Sequence, residues 1–154
     1  MSTRSNIGII NKDSSMDVIY CHWDGYPCHN GALLLHHYKE EDKVRRLMQL
    51  GDISSLAEKL EPDPGQEHTF EKPADGVVVA YGRERGDKDA HARHYESVDA
   101  YRKELQSSNT WIEFVYLYSV AGRQWLWFPV REENGTLVKA RPLQESDTES
   151  TQAA

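Results

Sequence analysis

The sequence predicts a single α+β domain over residues 1–143, with a mostly antiparallel sheet of roughly five to six strands and helices packed mainly on one face. Two observations carry this prediction. Short β-branched and aromatic runs occur as hairpins towards both ends of the chain, and helical periodicity fills much of the part between them. A doubly wound fold needs regular alternation of strands and helices, which this chain lacks. The predicted order is β-β-α-α-α-β-α-β-β, with an optional final strand.

The N-terminal hairpin is predicted from two apolar runs separated by turn residues. Residues 5–10 are rich in isoleucine, and residues 16–23 combine β-branched and aromatic side chains. Between them, residues 11–15 supply the asparagine, aspartate and serine side chains that favour turns. Asp24 and Gly25 then have the chemistry of a turn, so the second strand is predicted to end there.

Three helices are predicted after this hairpin. In residues 31–38, apolar side chains recur at the spacing of one helix face. The second helix starts at residues 40–42 with acidic side chains that suit a helix N-terminus, and Gly51 ends it. Asp52 is suited to cap a third, short helix that carries apolar residues as far as Leu60.

The middle of the chain alternates between loop and regular structure. Residues 61–75 contain three prolines and are predicted to form a loop. Residues 76–83 include a run of valines and are predicted to form a buried strand. Residues 84–95 are charged and irregular. Ser97 is then expected to cap a helix with one apolar face.

The strongest hairpin pattern lies near the C-terminus, where residues 111–118 and 124–130 flank a short turn. Both faces of the first of these strands are largely apolar or aromatic, which is typical of a central strand. Residues 135–143 are predicted to add an edge strand. Residues 144–154 are polar and without periodicity, so a disordered tail is predicted.

The composition limits the classes of function. The 154 residues include 18 Lys and Arg against 25 Asp and Glu, a formal net charge of -7. Phosphate contacts need clustered Lys and Arg, so general nucleic-acid binding is not expected. The first ten residues lack a long apolar run, so no signal peptide is predicted, and no segment approaches the ~20 apolar residues of a membrane helix. Two cysteines are too few for a disulfide scaffold, so a cytoplasmic protein with free thiols is predicted.

Residues 21–27 place an imidazole, a carboxylate and two aromatic rings where a strand ends. A helix N-terminus, which attracts anions, is predicted close by. The candidate ligand-binding residues here are His22, Trp23, Asp24 and Tyr26. In the alternative interpretation Trp23 and Tyr26 fill the core while Asp24 caps the turn. The frequent burial of aromatic side chains favours that alternative.

Four further charged residues are candidates for the same ligand: Arg4, Arg83, Arg85 and Glu113. Arg83 and Arg85 are bracketed by glycines after a predicted strand, which suits an anion-binding loop and a solvated turn equally well. Glu113 lies between apolar residues of one strand face, so burial would require a partner. Arg83 or Arg85 would serve as that partner, and this structural pairing is favoured. In the alternative, Glu113 and the arginine would face a ligand together. Arg4 is expected to pair with Asp24.

Metal binding and nucleophilic catalysis find little support. Cys21-His22 and Cys28-His29 form two Cys-His pairs, but the cysteines are too far apart for one zinc knuckle. Cys21 and His22 would also point to opposite faces of a regular strand. The sequence has no Gly-x-Ser-x-Gly elbow and no phosphate-binding loop. No metal and no other cofactor is therefore predicted.

Two N-terminal motifs carry a family resemblance. Residues 2–7, Ser-Thr-Arg-Ser-Asn-Ile, and residues 20–27, Tyr-Cys-His-Trp-Asp-Gly-Tyr-Pro, resemble a family of small uncharacterised proteins of tailed bacteriophages and prophages. The resemblance continues through residues 31–60 and 111–116. It implies a phage or prophage origin and a location in the cytoplasm of the bacterial host, and it implies no mechanism.

Three functional hypotheses follow. The first is a non-enzymatic phage accessory protein that binds a host protein or a small anionic, nucleotide-like ligand, for example in evading host defence. Trp23 or Tyr26 would then stack on a base, and Arg83 or Arg85 would meet phosphate. The second is a small hydrolase or nucleotide-modifying enzyme that uses His22 with Asp24, or Glu113. The third is a metal-stabilised structural module.

Overall fold

The computed structural model describes residues 2–108 and 110–149, and its centre is a sheet of eight strands. The strands, in chain order, are β1 (Arg4–Ile10), β2 (Met16–Cys21), β3 (Ile53–Ser55), β4 (Val79–Ala80), β5 (Arg93–Tyr95), β6 (Ile112–Ser119), β7 (Gln124–Pro129), β8 (Glu132–Glu133), β9 (Thr136–Leu137) and β10 (Arg141–Pro142). Their spatial order is β10-β7-β6-β1-β2-β3-β4, and β5 pairs with β2 on the same side as β3. Strands β8 and β9 form a separate ribbon.

Four α-helices lie within the described residues. They are α1 (Ala32–His37), α2 (Glu41–Leu50), α3 (Tyr81–Arg85) and α4 (Val98–Ser107). A π-helical turn over Pro27–Gly31 leads directly into α1. In residues 2–108 and 110–149, no helix is long and apolar enough to cross a membrane.

Both predicted hairpins are confirmed. Strands β1 and β2 pair antiparallel, with Ser5 opposite Cys21 and Ile10 opposite Met16. In the intervening turn, Asp13 Oδ1 accepts hydrogen bonds from the backbone N–H and the hydroxyl of Ser15, at 2.9 and 2.6 Å. Strands β6 and β7 pair in the same antiparallel manner, and β6 lies inside the sheet as its two apolar faces predicted.

The sheet is mixed, so the prediction of a mostly antiparallel sheet is wrong. Strand β1 pairs parallel with β6, and β2 pairs parallel with β3. The first pairing arises because the two hairpins meet through their leading strands. The second arises because α1 and α2 together form the crossover from β2 to β3, and a parallel neighbour requires such a connection.

The third helix predicted after Asp52 is absent from the described structure, where β3 takes its place. The carbonyls of Ile53 and Ser54 accept hydrogen bonds from His22 N–H at 3.2 Å and Trp23 N–H at 3.0 Å. These bonds continue the pairing beyond the end of β2. The apolar residues that suggested helical spacing are buried from an extended segment instead, because tertiary pairing overrides a short periodic pattern.

Helices cover both faces of the sheet, which corrects the prediction that they pack mainly on one. On one face, α1 and α2 contribute Leu34 and Leu47 to a core that includes Ile7 and Ile19. On the other face, α4 contributes Tyr101 and Leu105 to a second core with the following sheet residues: Met16, Val18, Val115, Leu117 and Phe128. The interior strands bury both of their faces, so each face needs its own cover.

The proline-rich loop predicted at residues 61–75 is held by a buried histidine. His68 Nδ1 accepts the Ala74 N–H at 2.9 Å, so the proton of this neutral ring is on Nε2. That N–H donates to Glu84 Oε1 at 2.7 Å and lies 3.0 Å from the Val78 carbonyl. Arg83 donates to both oxygens of Glu84 at 2.7 and 2.9 Å. The buried carboxylate of Glu84 is therefore compensated, as burial requires.

Two further regions differ from their predictions. The segment predicted as irregular, residues 84–95, contains the end of α3 and all of β5. The tail predicted to be disordered from Gln144 onward begins with a 3-10 turn at Glu145–Thr148, where Asp147 accepts the Gln144 N–H at 2.8 Å. Residues 150–154 of that predicted tail lie outside the described residues.

The corner after β2 yields a stability prediction. A Cβ on Gly25 would lie 2.8 Å from the Thr3 carbonyl oxygen and 2.9 Å from Ser5 Cβ, whereas a Cβ on Gly31 would meet nothing closer than 3.4 Å. We expect Gly25→Ala to lower the free energy of unfolding by about 1–3 kcal/mol, as overpacking does, in urea denaturation. The control Gly31→Ala has a helical backbone and should change it by less than about 1 kcal/mol. Equal effects of the two variants would contradict this account of the corner.

Candidate functional site

A cavity of about 420 Å³ opens between the sheet, α4 and β5, and we name it the Arg4 cavity. The residues that carry its chemistry are Arg4, Asn6, Tyr20, Arg93, Tyr95, Tyr101 and Trp111. Strand alternation explains the placement of the first two: Ile7 and Ile9 face the α1–α2 core, so Arg4 and Asn6 face the opposite side. The aromatic residues come from four different segments of the chain, which is why no local sequence pattern marks the cavity.

Arg4, Tyr20 and His22 form a connected polar group. Arg4 and Tyr20 line the cavity together, and the Tyr20 hydroxyl hydrogen-bonds to His22 Nδ1 at 2.6 Å. Within the described residues, no carboxylate lies within 4.0 Å of the Arg4 guanidinium.

The surroundings of Tyr20 and His22 shift the pKa values of both side chains. Burial raises the pKa of Tyr20, and the nearby Arg4 guanidinium opposes that rise. Burial lowers the pKa of His22, and the positive charge of Arg4 lowers it further. Both groups are therefore held in their neutral forms around neutral pH, which preserves the hydrogen bond between them.

The other charged groups that line the Arg4 cavity are Arg93, Asp52 and the exposed Glu104. Arg93 pairs with Asp52 at 3.2 Å, and Asp52 also accepts the Tyr20 N–H at 2.8 Å. Burial raises the pKa of Tyr95, and the nearby Glu104 carboxylate raises it further. At the cavity floor, Asn6 Nδ2 donates to the Tyr101 hydroxyl at 2.8 Å. Of the two arginines of this cavity, Arg4 is thus the one that has no carboxylate within 4.0 Å among the described residues.

Two tryptophans near the site are exposed. Trp23 is 44% exposed and packs edge-on against the His22 ring at 4.7 Å, while Trp111 is 73% exposed at the rim of the Arg4 cavity. The interpretation of Trp23 as a core residue is therefore wrong. It fails because Trp23 comes after the last residue of β2, where Cys21 is the last buried side chain.

Asp24 and Arg4 do not form the expected ion pair. Asp24 is exposed and has a left-handed backbone with φ 55°, a conformation that aspartate tolerates. The corner is instead fixed by its backbone, because Gly25 N–H donates to the Thr3 carbonyl at 2.8 Å and the Gly25 carbonyl accepts from the Tyr116 hydroxyl at 2.6 Å. His22 is oriented by Tyr20 and not by Asp24.

A second cavity of about 440 Å³ adjoins the first, and we name it the Tyr81 cavity. Its lining includes Tyr20, Asp52, Tyr81, Arg85, Asp87 and Lys88. Tyr20 and Asp52 belong to both cavities. The two cavities therefore meet at the end of β2.

Arg83 and Arg85 lie on α3, so the glycine-bracketed anion-binding loop predicted there is a helix. Arg83 forms ion pairs with Glu84 and Glu61. Arg85 donates to both oxygens of Asp87 at 2.9 and 2.7 Å, and its guanidinium lies 4.5 Å from the centre of the Tyr81 ring. Neither arginine pairs with Glu113.

Tyr26 and Glu113 line a third cavity of about 510 Å³, which also includes Phe114, Trp127 and Arg141 and which we name the Trp127 cavity. Tyr26 is half-buried against Phe114, with ring centres 5.9 Å apart. Glu113 is exposed, so it needs no buried partner. His22 lines none of these three cavities, so they do not bring it together with Glu113.

Glu113 was expected on the same strand face as Val115. A β-bulge explains why it is not. Arg4 pairs with Ile112 and Ser5 pairs with Phe114, so Glu113 is the extra residue of β6. A bulge redirects the side chain at the inserted position, and this one turns Glu113 towards the Trp127 cavity.

The cysteines occupy different settings. Cys21 is fully buried, and burial raises the pKa of its thiol to about 11. Its sulfur contacts Asn30 Nδ2 at 3.3 Å. Cys28 is partly buried. In the described part of the chain, no group of three or more His, Cys, Asp or Glu residues is arranged to hold a metal ion.

Sequence reasoning missed five aromatic or amide residues of the site: Asn6, Tyr20, Tyr95, Tyr101 and Trp111. One signal was available for Tyr20. Residues i and i+2 of a strand share a face, so Tyr20 and His22 were placed together by alternation alone. Asn6 and Tyr101 are far apart in the chain, and only the packing of α4 on β1 brings them together.

The Arg4–Tyr20–His22 group yields a titration prediction. We expect His22 to titrate, in NMR spectra of its ring protons, with a midpoint below the ordinary histidine pKa. Arg4→Met removes a nearby positive charge, which disfavours the imidazolium, and should therefore raise that midpoint. Lys103→Met removes an exposed cation of α4 and should leave it unchanged. A His22 midpoint that does not respond to Arg4→Met would show that the two side chains do not interact in solution.

The Arg4 cavity thus brings the Arg4 guanidinium together with several aromatic side chains, and one of these, Tyr20, hydrogen-bonds to His22, which does not line the cavity. Searches with family models, among curated proteins and among solved structures find no match to this chain.

Proposed function

We propose that the protein is a non-enzymatic accessory protein of a phage or prophage that binds a small anionic, nucleotide-like ligand in the Arg4 cavity. One observation carries the proposal. The Arg4 guanidinium is partly buried beside aromatic rings, and no carboxylate of the described residues lies within 4.0 Å of it. A cation in this setting attracts an anion from outside the chain, because its charge is incompletely solvated and internally uncompensated.

The chemistry of the lining fits a phosphorylated aromatic ligand. A guanidinium presents a planar set of donors that matches the oxygens of phosphate. Tyr95 and Trp111 supply flat rings beside this cation, and such rings stack on nucleobases. Trp111 is 73% exposed, so its ring face is open to a ligand. The anion and the ring of a nucleotide thus each have a counterpart in the cavity.

Size and charge favour a small ligand over a polymer. The volume of about 420 Å³ falls within the range of roughly 300–1,000 Å³ that is usual for small-molecule sites. The formal net charge of -7 repels a polyanion at long range, whereas one or two phosphates near Arg4 respond mainly to the local charge. The phage resemblance supports a role in which the protein withdraws a host signalling nucleotide.

The ligand proposal predicts thermal stabilisation by nucleotides. We would screen ribonucleoside monophosphates, cyclic dinucleotides and inorganic phosphate. Ligand that binds only the folded protein at 100 times its Kd stabilises it by about 2.7 kcal/mol, which a thermal-shift assay detects. Arg4→Met should weaken binding by roughly tenfold or more, and the matched control Lys103→Met should not.

If no member of the panel stabilises the protein, the small-ligand proposal is refuted. A host protein then becomes the expected partner, and the exposed Trp23 and Trp111 are the side chains to test, because tryptophan is enriched at binding hot spots.

A second candidate is a nucleotide-modifying enzyme, favoured by the 2.6 Å contact between the Tyr20 hydroxyl and His22 Nδ1. A tyrosine hydrogen-bonded to a neutral imidazole beside a guanidinium is equipped for general acid–base catalysis. The earlier pairing of His22 with Asp24 has no support in the contacts.

The enzymatic candidate is tested by product analysis. Each nucleotide of the panel is incubated with the protein and separated by chromatography. If the candidate holds, a product forms and Tyr20→Phe abolishes its formation while retaining binding. Tyr95→Phe, which changes another hydroxyl of the same cavity, retains product formation. Recovery of every nucleotide unchanged would refute the enzymatic role and leave the binding role intact.

A further inference from the structure

We infer that the ligand-binding groove continues from the Arg4 cavity past Tyr20 into the Tyr81 cavity, and that its ligand is anionic at the Arg4 end and rich in hydrogen-bond donors at the other. This inference rests on the proposed anion site at Arg4. The ligand class that fits is a nucleoside 5′-monophosphate with a free ribose diol. A ligand that is anionic at both ends does not fit.

The first step is the continuity of the two cavities. Tyr20 and Asp52 line both of them. The Tyr81 N–H donates to the Asp52 carbonyl at 3.1 Å, so the tyrosine of the second cavity is fixed beside the start of β3. A ligand anchored at Arg4 therefore reaches the second cavity by passing along the Tyr20 ring.

The second step is the difference in charge between the two ends. The Arg4 cavity is lined by two cations, Arg4 and Arg93, and by two carboxylates, Asp52 and Glu104, and its Arg4 guanidinium has no carboxylate within 4.0 Å among the described residues. In the Tyr81 cavity, Asp52, Asp87 and Asp89 outnumber the cations Arg85 and Lys88. Arg85 is already bound to Asp87 through two hydrogen bonds and lies against the Tyr81 ring.

Lys88 does not reverse this balance. It is exposed and adjoins the exposed Asp89 in sequence, so the field of one largely cancels that of the other in water. The second cavity therefore offers no net positive charge to a second phosphate.

The third step is what carboxylates at this end recognise. Each carboxylate oxygen has two lone pairs, so Asp52 and Asp87 retain acceptor capacity after their bonds to Arg93 and Arg85. A carboxylate that accepts from ribose hydroxyls is a common device of nucleotide sites. A phosphate placed there would meet like charge instead, and like charges at short range repel strongly where water is partly excluded.

The experiment compares adenosine 5′-monophosphate with adenosine 3′,5′-bisphosphate by calorimetry on the whole chain. The monophosphate should bind at least roughly tenfold more tightly, because the added 3′-phosphate lies among the carboxylates. Asp87→Asn removes one of those charges and frees Arg85. The ratio of bisphosphate to monophosphate affinity should then rise by roughly tenfold.

Two further variants serve as a control and as a replacement for Asp87→Asn. Asp42→Asn makes the same charge change on α2, at an exposed residue that lines neither cavity, and should leave the ratio unchanged. If Asp87→Asn does not fold, Asp89→Asn at an exposed position of the Tyr81 cavity should raise the ratio in the same direction.

The outcomes separate the two proposals. Equal affinities, or tighter binding of the bisphosphate by the unaltered protein, would overturn the inference and leave the anion site at Arg4 standing. An affinity ratio that does not respond to Asp87→Asn or Asp89→Asn would likewise overturn it. Failure of both nucleotides to bind would overturn the inference and the nucleotide form of the proposed function together.

Discussion

The parallel pairing of β1 with β6 is the contact on which the rest of the fold depends. It runs from Ser5 opposite Phe114 to Ile10 opposite Ser119 and joins the two hairpins into one sheet. Once joined, β1 and β6 are both interior strands, and their side chains are buried on both faces. One face is then covered by α1 and α2 and the other by α4, because neither face can be left to water. Helices on one side of the sheet would be enough for either hairpin alone. They are not enough once the two hairpins are joined into one sheet.

The pairing of β1 with β6 also determines which charged side chains lie close together. Its bulge at the start of β6 makes Glu113 an extra residue and turns it away to the Trp127 cavity, while Arg4 and Ile112 stay beside the Arg4 cavity. A regular register would have kept the alternation of β6 unbroken and left Glu113 on the face of Arg4 and Val115. The irregularity therefore separates the carboxylate from the guanidinium. Glu113 therefore lines a different cavity from Arg4.

The sequence predicted what depends on local chemistry and missed what depends on distant packing. Both hairpins and the helices at α1, α2 and α4 follow from periodicity, caps and turn residues near in sequence. Strand β3 was mistaken for a helix because a short apolar run has the same composition in either state, and its partner β2 is reached only through a crossover. Arg4 was expected to pair with Asp24, whereas it lines a cavity with Tyr20, which hydrogen-bonds to His22 and was not selected from the sequence. The hydrogen bond between Asn6 and Tyr101 and the bulge at Glu113 are set by tertiary register, which no local pattern records.

Charge compensation across the site gives the final argument for its role. The chain carries 25 acidic and 18 basic residues, so a carboxylate is the easiest partner for any arginine to find. The arginines near the site follow that expectation: Arg83, Arg85 and Arg93 all pair with carboxylates. Arg4 is partly buried and lies instead near Tyr20, whose neutral hydroxyl is a weaker partner for a cation than a carboxylate. In an acidic chain, such an arginine loses solvation without gaining an ion pair, and an external anion restores that loss. The electrostatic cost of leaving Arg4 uncompensated is therefore the physical reason to expect that the cavity binds an anion.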